Sequence, residues 1–386
     1  MNKLYHGNSL EILKQQKDNS VDLLCTDPPY GYSFMGKDWD KALPDIEIWK
    51  ECYRVMKPGS IGLVMSSPRS DVMSRMIVQL EDVGFRVDFT PIFWAYSSGF
   101  PKAYNMGQSA EKKLTIGTAR RPDRDLGKLT RNRWSGEQDG KLFTDSGGKI
   151  PLTQDKAKEL KKAYGGFQPK PAVEVVIVIM KPMTEKTYVE QALNNGKGVT
   201  WLDNCRIPAQ DGTDRFMSNL LVQDEYMGEY SEFFDLDSWW REKFKTLPTK
   251  QFFPYLYVKK PNKKEKEQGL ENFQKKVGGA YNGNVDTNNP NSLGANPARP
   301  PSVRSNIHPT VKPIELMSYL VELGSKEQDV VLDPFLGSGT TAIACVKTSR
   351  QYIGIELMKE YHDIAKERIK WWKSQQNKYQ IDKFTK

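Results

Sequence analysis

Asp27-Pro28-Pro29-Tyr30 follows directly on Val21–Thr26, an apolar run with the length of a buried strand. A carboxylate at the carboxyl end of such a strand stands where open α/β sheets bind their ligands. The two prolines cannot continue a ladder and they fix the backbone, so the turn is stiff. A stiff turn aims the Asp27 carboxylate and the Pro28 carbonyl at one point, with the Tyr30 ring beside them. Two fixed acceptors suit an aryl amino group, whose lone pair is delocalised and poorly nucleophilic. Bonding both N–H groups favours a pyramidal nitrogen, which can attack a sulfonium methyl in line while the acceptors stabilise the charge developing on it. Stacking on Tyr30 suits a base flipped out of a duplex. The same four residues also read as a strand-ending turn with a solvated aspartate.

A second group lies far along the chain. Asp333-Pro334-Phe335-Leu336-Gly337-Ser338-Gly339-Thr340-Thr341 falls between an expected strand and an expected helix. Glycines there let a ligand approach the backbone, and the helix start offers free N–H groups to an anionic part such as a methionine carboxylate. Glu356 ends the next expected strand, where an acidic side chain can accept ribose hydroxyls. Alone it reads equally as a first-turn helix carboxylate. The chain has no G-x-x-x-x-G-K-[ST] sequence, which argues against a phosphate-gripping loop.

These groups need elements to hold them. The first hundred residues alternate strand and helix in the manner of a parallel sheet. Strands are expected at Lys3–His6, Val21–Thr26, Ile61–Ser66 and Phe85–Ala95, with helices at Ser9–Gln16, Ile46–Met56 and Asp71–Val83. The second helix should stop at Lys57-Pro58-Gly59. Residues 101–170 show no sustained period. Ala172–Met180 is again a strand, Glu185–Asn195 a helix, and from Gly196 to Arg304 only Phe252–Val258 reads as a strand. Gly278–Pro301, rich in Gly, Asn and Pro, reads as a mobile loop. Order returns with helices at Ile314–Leu323, Thr340–Lys347 and Lys359–Lys373, and strands at Val330–Leu332 and Tyr352–Ile355.

The 386 residues carry a net charge of +9, distributed unevenly. Residues 101–180 hold +7 and residues 241–312 hold +9, against −2, −6 and +1 for 1–100, 181–240 and 313–386. Two basic central blocks fit a polyanion footprint, or a solvated surface. Cys25, Cys52, Cys205 and Cys345 stand apart, which argues against a disulfide framework or a zinc site, and no metal is expected. The polar start and the lack of a run of about 20 apolar residues predict a cytoplasmic protein without a membrane span.

The chain resembles the DNA amino-methyltransferases in which the catalytic half precedes the recognition region and the cofactor half comes last. Asp27-Pro28-Pro29-Tyr30 matches the catalytic motif, Asp333–Thr341 the cofactor glycine motif, and Ile355-Glu356 the acidic ribose-binding position. His308-Pro309-Thr310-Val311-Lys312-Pro313 matches the segment that lines the cofactor pocket. Val55–Gly59 and Ser98–Lys102 match further family stretches. One departure stands at Asn8, where the family often has aspartate.

This resemblance implies a class I methyltransferase fold, an α/β Rossmann-like doubly wound sheet of seven strands with the last antiparallel, in circularly permuted order. It implies a catalytic half at 1–105, a basic loop insertion at 106–168, a core strand at 169–184, a target-recognition region at 185–305, a cofactor half at 306–374 and a tail at 375–386. S-adenosyl-L-methionine is the expected cofactor. It would be held by Asn8, Asp27, His308, Thr310, Lys312, Asp333, Phe335, Gly337, Ser338, Gly339, Thr340 and Glu356. Asp27, Pro28, Pro29 and Tyr30 would form the catalytic set. Double-stranded DNA is the expected substrate, with adenine N6 as target; cytosine N4 uses the same geometry and stays open. RNA or protein-glutamine methylation, or an inactive DNA-binding module, fits the residues less well. A homodimer and a separately encoded restriction endonuclease are both compatible with the resemblance. By it, Arg120–Arg124 and Lys259–Lys266 are expected on phosphates, whereas Trp239-Trp240, Trp371-Trp372, Cys25 and Cys345 are expected in packing.

Overall fold

Every residue of Val21–Thr26 is buried, including Asp22 and Thr26. Alternate residues of this strand pack on opposite faces. Leu23 and Cys25 join a core with Trp94, Tyr319, Leu320 and Ile343, whereas Leu24 joins one with Trp49, Met76, Leu80 and Ile355. Two cores on two faces need helices on both sides, which is the doubly wound arrangement.

The computed structural model describes residues 2–31, 40, 42–95, 104–116, 153–165, 173–208, 214–222, 261–278 and 302–384. The main sheet has eight strands: β1 (Lys3–His6), β2 (Val21–Thr26), β3 (Met56–Ser66), β4 (Ile92–Ala95), β5 (Val173–Met180), β6 (Leu220–Val222), β7 (Val330–Asp333) and β8 (Gln351–Glu356). Their spatial order is β1-β8-β7-β2-β3-β5-β4-β6. All pairings are parallel except those of β5, which runs against both β3 and β4. The first strand of the chain thus lies beside the last, and the permuted sheet expected from the resemblance is present.

An eighth strand adds to the seven expected. β6 pairs with β4 at one edge and is three residues long, too short to show a period. The expected Phe85–Ala95 strand shrinks to Ile92–Ala95, and only a bridge from Arg86 to Met180 continues the ladder. The helix before β3 ends at Val55, and β3 runs through Lys57-Pro58-Gly59 rather than starting after it. Pro58 lacks a donor, but its carbonyl accepts from Asn195 Nδ2 at 2.9 Å and Gln191 Nε2 at 3.3 Å. Side chains replace the ladder where the proline breaks it. The last helix continues from Lys359 to Phe384, beyond its expected end at Lys373.

The chain divides into two units, Met1–Ser98 with Ala172–Lys386, and Gly99–Pro171. The smaller unit holds helices Met106–Ile116 and Gln154–Glu159 and an antiparallel pair, Tyr104–Asn105 with Tyr164–Gly165, where the sequence shows no period. Among the described residues, no helix is long and apolar enough to cross a membrane. The Ser98–Lys102 loop, Arg120–Arg124, Trp239-Trp240 and the strand expected at Phe252–Val258 lie outside the described residues. All four cysteines are buried free thiols, and Trp371 and Trp372 pack edge to face at 5.1 Å.

At the amino ends of β2 and β7 a closed ion cluster holds the sheet. Lys197 Nζ lies 2.8 Å from both Asp22 and Asp329, and Lys57 Nζ lies 2.7 Å from Asp22. Burial alone would raise the Asp22 carboxyl, but these lysines and the Val330 N–H hold it below the ordinary range. The carboxyl ends of the same strands are where the site forms.

Candidate active site

β1, β8, β7 and β2 are parallel neighbours, so their carboxyl ends share one edge of the sheet. Each delivers a predicted residue there: Asn8 just past β1, Glu356 at the end of β8, Asp333 at the end of β7 and Asp27 just past β2.

Each oxygen of the Asp27 carboxylate accepts one bond. Oδ1 accepts from the Tyr30 hydroxyl at 2.7 Å, and Oδ2 accepts from the Lys312 ammonium. Lys312 also lies 3.2 Å from Glu174 Oε2 on β5 and 5.8 Å from the centre of the Tyr30 ring. The turn is pinned from behind by Asp40, whose Oδ1 accepts from the backbone N–H groups of Tyr30 and Gly31 at 2.8 and 2.9 Å. Burial raises the Asp27 carboxyl above the ordinary range; Lys312 opposes this and Glu174 adds to it. For Lys312, burial works against the ammonium, but Asp27 and Glu174 outweigh it and hold the lysine charged.

Asp333 links this turn to the glycine loop. Thr26 Oγ1 and Thr341 Oγ1 each donate to its carboxylate at 2.6 Å, and Phe335 N–H donates at 3.0 Å. Burial pushes it up to about 6 despite these bonds. Glu356 accepts from Gly337 N–H at 2.8 Å and Met358 N–H at 2.7 Å, and burial pushes it up to about 7. Each oxygen keeps lone-pair capacity for a further donor. The helix Thr340–Lys347 starts at Gly339 without a side-chain cap, which leaves its first N–H groups to a ligand.

Gly337 and Gly339 both have positive φ, +56° and +89°. A Cβ at Gly337 would stand 2.7 Å from His308 Nε2, so the loop closes against that ring. Gly337→Ala is expected to lower stability by about 1–2 kcal/mol from the left-handed backbone alone, and thermal unfolding measures it. His308 accepts from Thr310 N–H at 3.4 Å and packs edge-on against Tyr361. Burial, then the nearby Lys312 and Arg368 cations, push it down to about 3, so it is a neutral wall and not a base at physiological pH.

Other predicted residues also make structural contacts. The Asn8 side chain caps the helix Ser9–Leu13 through Leu10 N–H. Phe335 packs edge-on against Trp49. The carbonyl and hydroxyl of Ser338 are bonded by Arg368. Pro28 and Pro29 shape the turn that carries Asp27, and Thr340 is buried at the helix start.

Three residues that position the site lie outside the set expected from the sequence. Glu174 has a signal there, as the one charge inside the apolar run AVEVVIVIM. Arg368 has one too, because it falls on the stripe Tyr361, Ala365, Trp372 at helical spacing and is fully buried there. Asp40 has none.

A family model described as DNA methylase, covering the N6 and N4 amino-methylating enzymes, matches residues 21–367. The chain belongs to this family. The family uses S-adenosylmethionine. Among curated relatives, a putative methylase, YubD, from Escherichia coli K12 is 44% identical over 62 residues, 16% of this chain and 27% of its own length. The type II methyltransferase M.HpaI of Haemophilus parainfluenzae is 48% identical over 62 residues, 16% of this chain and 20% of its own. The chain thus spans about a quarter of the length of these relatives. Among solved structures, the cytosine-N4-specific PvuII DNA methyltransferase aligns over 94% of this chain and 84% of its own, at 15% identity and a TM-score of 0.45.

The residues present fit the family's cofactor. The helix start at Gly339 is uncapped, and a carboxylate ends the neighbouring strand.

Proposed function

We propose that the protein transfers a methyl group from S-adenosylmethionine to N6 of adenine in double-stranded DNA, with the target base flipped out of the helix. The observation that carries this reading is Asp27, a half-buried carboxylate on a proline-stiffened turn, one strand from the Gly337 loop and two from Glu356. The bound cofactor would supply an electrophilic sulfonium methyl. Glu356 would accept the ribose hydroxyls, and the free N–H groups of Thr340–Lys347 would face the methionine carboxylate.

Asp27 and the Pro28 carbonyl would then accept from the target amino group, localising its lone pair, while the Tyr30 ring stacks on the base. No strong base is required, since the proton leaves the nitrogen after transfer and the neutral His308 plays no part in it. Aspartate before the two prolines favours adenine. Mass spectrometry of nucleosides from treated, unmethylated DNA tests this: N6-methyladenine is expected, and N4-methylcytosine would replace the adenine assignment.

Residues 185–305, with the basic stretch at 106–168, are proposed to read the DNA. Replacing the exposed Lys263 and Lys264 with glutamine is expected to weaken DNA binding at every sequence. It should also flatten the slope of log affinity against log salt by about 0.9 for each phosphate that is no longer neutralised. An unchanged slope would take these lysines off the DNA backbone.

Glu356 gives the cofactor affinity a pH dependence. Its carboxyl is pushed up to about 7 in the free protein, whereas hydroxyl donors favour its ionised form. Binding should therefore release a proton below pH 7 and tighten as pH rises through that value, then level off. Calorimetry is expected to find binding weaker by about tenfold at pH 6 than at pH 8, and a flat profile would separate Glu356 from the cofactor.

A further inference from the structure

Each oxygen of Asp27 already accepts a bond in the folded chain, Oδ1 from the Tyr30 hydroxyl and Oδ2 from Lys312. The Lys312 ammonium also stands over the Tyr30 ring, 5.8 Å from its centre. It therefore holds an acceptor and approaches a ring face, the two features a target base would need. The side chains of Lys312, Glu174 and Asp27 keep only 9%, 12% and 19% of their exposure, so bulk water cannot solvate an ammonium pushed off Asp27. A buried cation can leave one carboxylate only if another receives it. Glu174 Oε2 lies 3.2 Å away.

We propose that Glu174 is the seat to which Lys312 withdraws when the target base enters, which makes Glu174 a positioning residue for the methyl-transfer reaction. This rests on the methyl-transfer reading above. The ammonium gives up its bond to Asp27 Oδ2 and keeps its bond to Glu174. No covalent bond changes and the proton stays on Nζ. The move frees an Asp27 lone pair for the amino N–H. It also draws a positive charge away from the nitrogen that becomes positive during transfer. Glu174 comes from β5, the one antiparallel strand of the main sheet, so it reaches the cluster from a direction that neither the catalytic turn nor the 308–313 segment supplies.

The position of the ammonium predicts an unusual pattern among variants. In Glu174→Gln, Lys312 loses its second seat and competes with the base for Asp27. In Lys312→Met, the two carboxylates lose the ammonium between them. In the double variant Asp27 has neither the competitor nor the repelling neighbour. Methyl transfer to unmethylated DNA is to be measured across DNA concentrations for the wild type, both single variants and the double variant, with cofactor binding and thermal unfolding as checks of folding. Glu174→Gln is expected to lower kcat/KM for DNA by about tenfold or more, with the loss mostly in KM. The double variant is expected to be more active than either single one.

Glu174→Asp, which keeps the charge one methylene back, should recover part of the loss and serves if the glutamine variant folds poorly. A double variant whose loss is the product of the single losses would overturn the proposal, because a packing role for Glu174 gives that result. So would Glu174→Gln at the wild-type level. A wild type that methylates no DNA would instead remove the methyl-transfer reading on which the seat depends.

Discussion

Asp27→Ala is expected to reduce methyl transfer by about a thousandfold, while cofactor binding survives at least in part. The magnitude follows from losing a fixed acceptor aimed at charge that develops only in the transition state. Deleting one such group costs about 10²–10³ in kcat, and here the same side chain also orients the amino group. Folding should withstand the change. Lys312 gives up one of its two carboxylates but keeps Glu174 at 3.2 Å, so no unpaired buried ammonium is left behind. Tyr30 is deprived of its acceptor, yet the turn remains pinned through Asp40 and the Tyr30 and Gly31 N–H groups. The proposed cofactor pocket lies on other strands, at Gly337, Gly339 and Glu356. Single-turnover transfer of labelled methyl groups measures the first quantity and calorimetry the second. Transfer near the wild-type rate would exclude Asp27 as the acceptor and with it the proposed mechanism.

The difference between these two readouts follows from how the site is assembled, and that also decides what the sequence can reveal. Asp27-Pro28-Pro29-Tyr30 is legible because the prolines make the turn stiff whatever surrounds it. The glycine loop and Glu356 are legible because each sits one residue or less from the end of an apolar run, where a parallel sheet opens. Seven of the eight strands are legible from apolar runs and strand–helix alternation, whereas the permuted order of the sheet is what the resemblance implies. β6 is not legible, because three residues inside a polar stretch carry no period.

The electrostatic surroundings of Asp27 are hidden for a different reason. Lys312 lies 285 residues from Asp27 in sequence, and the pairings of β2 with β7 and of β1 with β8 bring the two ends of the chain together. Glu174 can be picked out as an odd charge in a strand, but its partner cannot. A strand sequence fixes alternation, not which neighbour a side chain will meet across the sheet. His308 reads from its motif as a wall of the pocket, but its contacts with Gly337 and Tyr361 are not in the motif. Nor does the motif show that the Asn8 side-chain oxygen accepts from the Leu10 N–H of the helix that follows.

Lys312→Met should shift the acid limb of the pH–rate profile upward. Burial already raises the Asp27 carboxyl, and Lys312 is the strongest influence holding it down. Without the ammonium, burial and the nearby Glu174 raise the Asp27 carboxyl further, with nothing from Lys312 to oppose them. Asp27 therefore stays protonated to higher pH, and a protonated Asp27 presents a donor to the very amino group it should accept from. The sign follows directly. Activity needs the carboxylate, so it is present above the pKa of Asp27 and is lost as pH falls through it, and a higher pKa moves that loss to higher pH. At pH 6 the variant should be slower than the wild type by about ten- to a hundredfold, with the gap narrowing as pH rises toward 9. Breaking a buried pair this way costs about 3–5 kcal/mol when the partner stays charged, and protonation relieves much of it, so the variant's loss of stability should be largest at high pH and shrink as pH falls. A loss of the same size at every pH would mean that Lys312 acts by touching substrate or cofactor and not by setting the charge on Asp27.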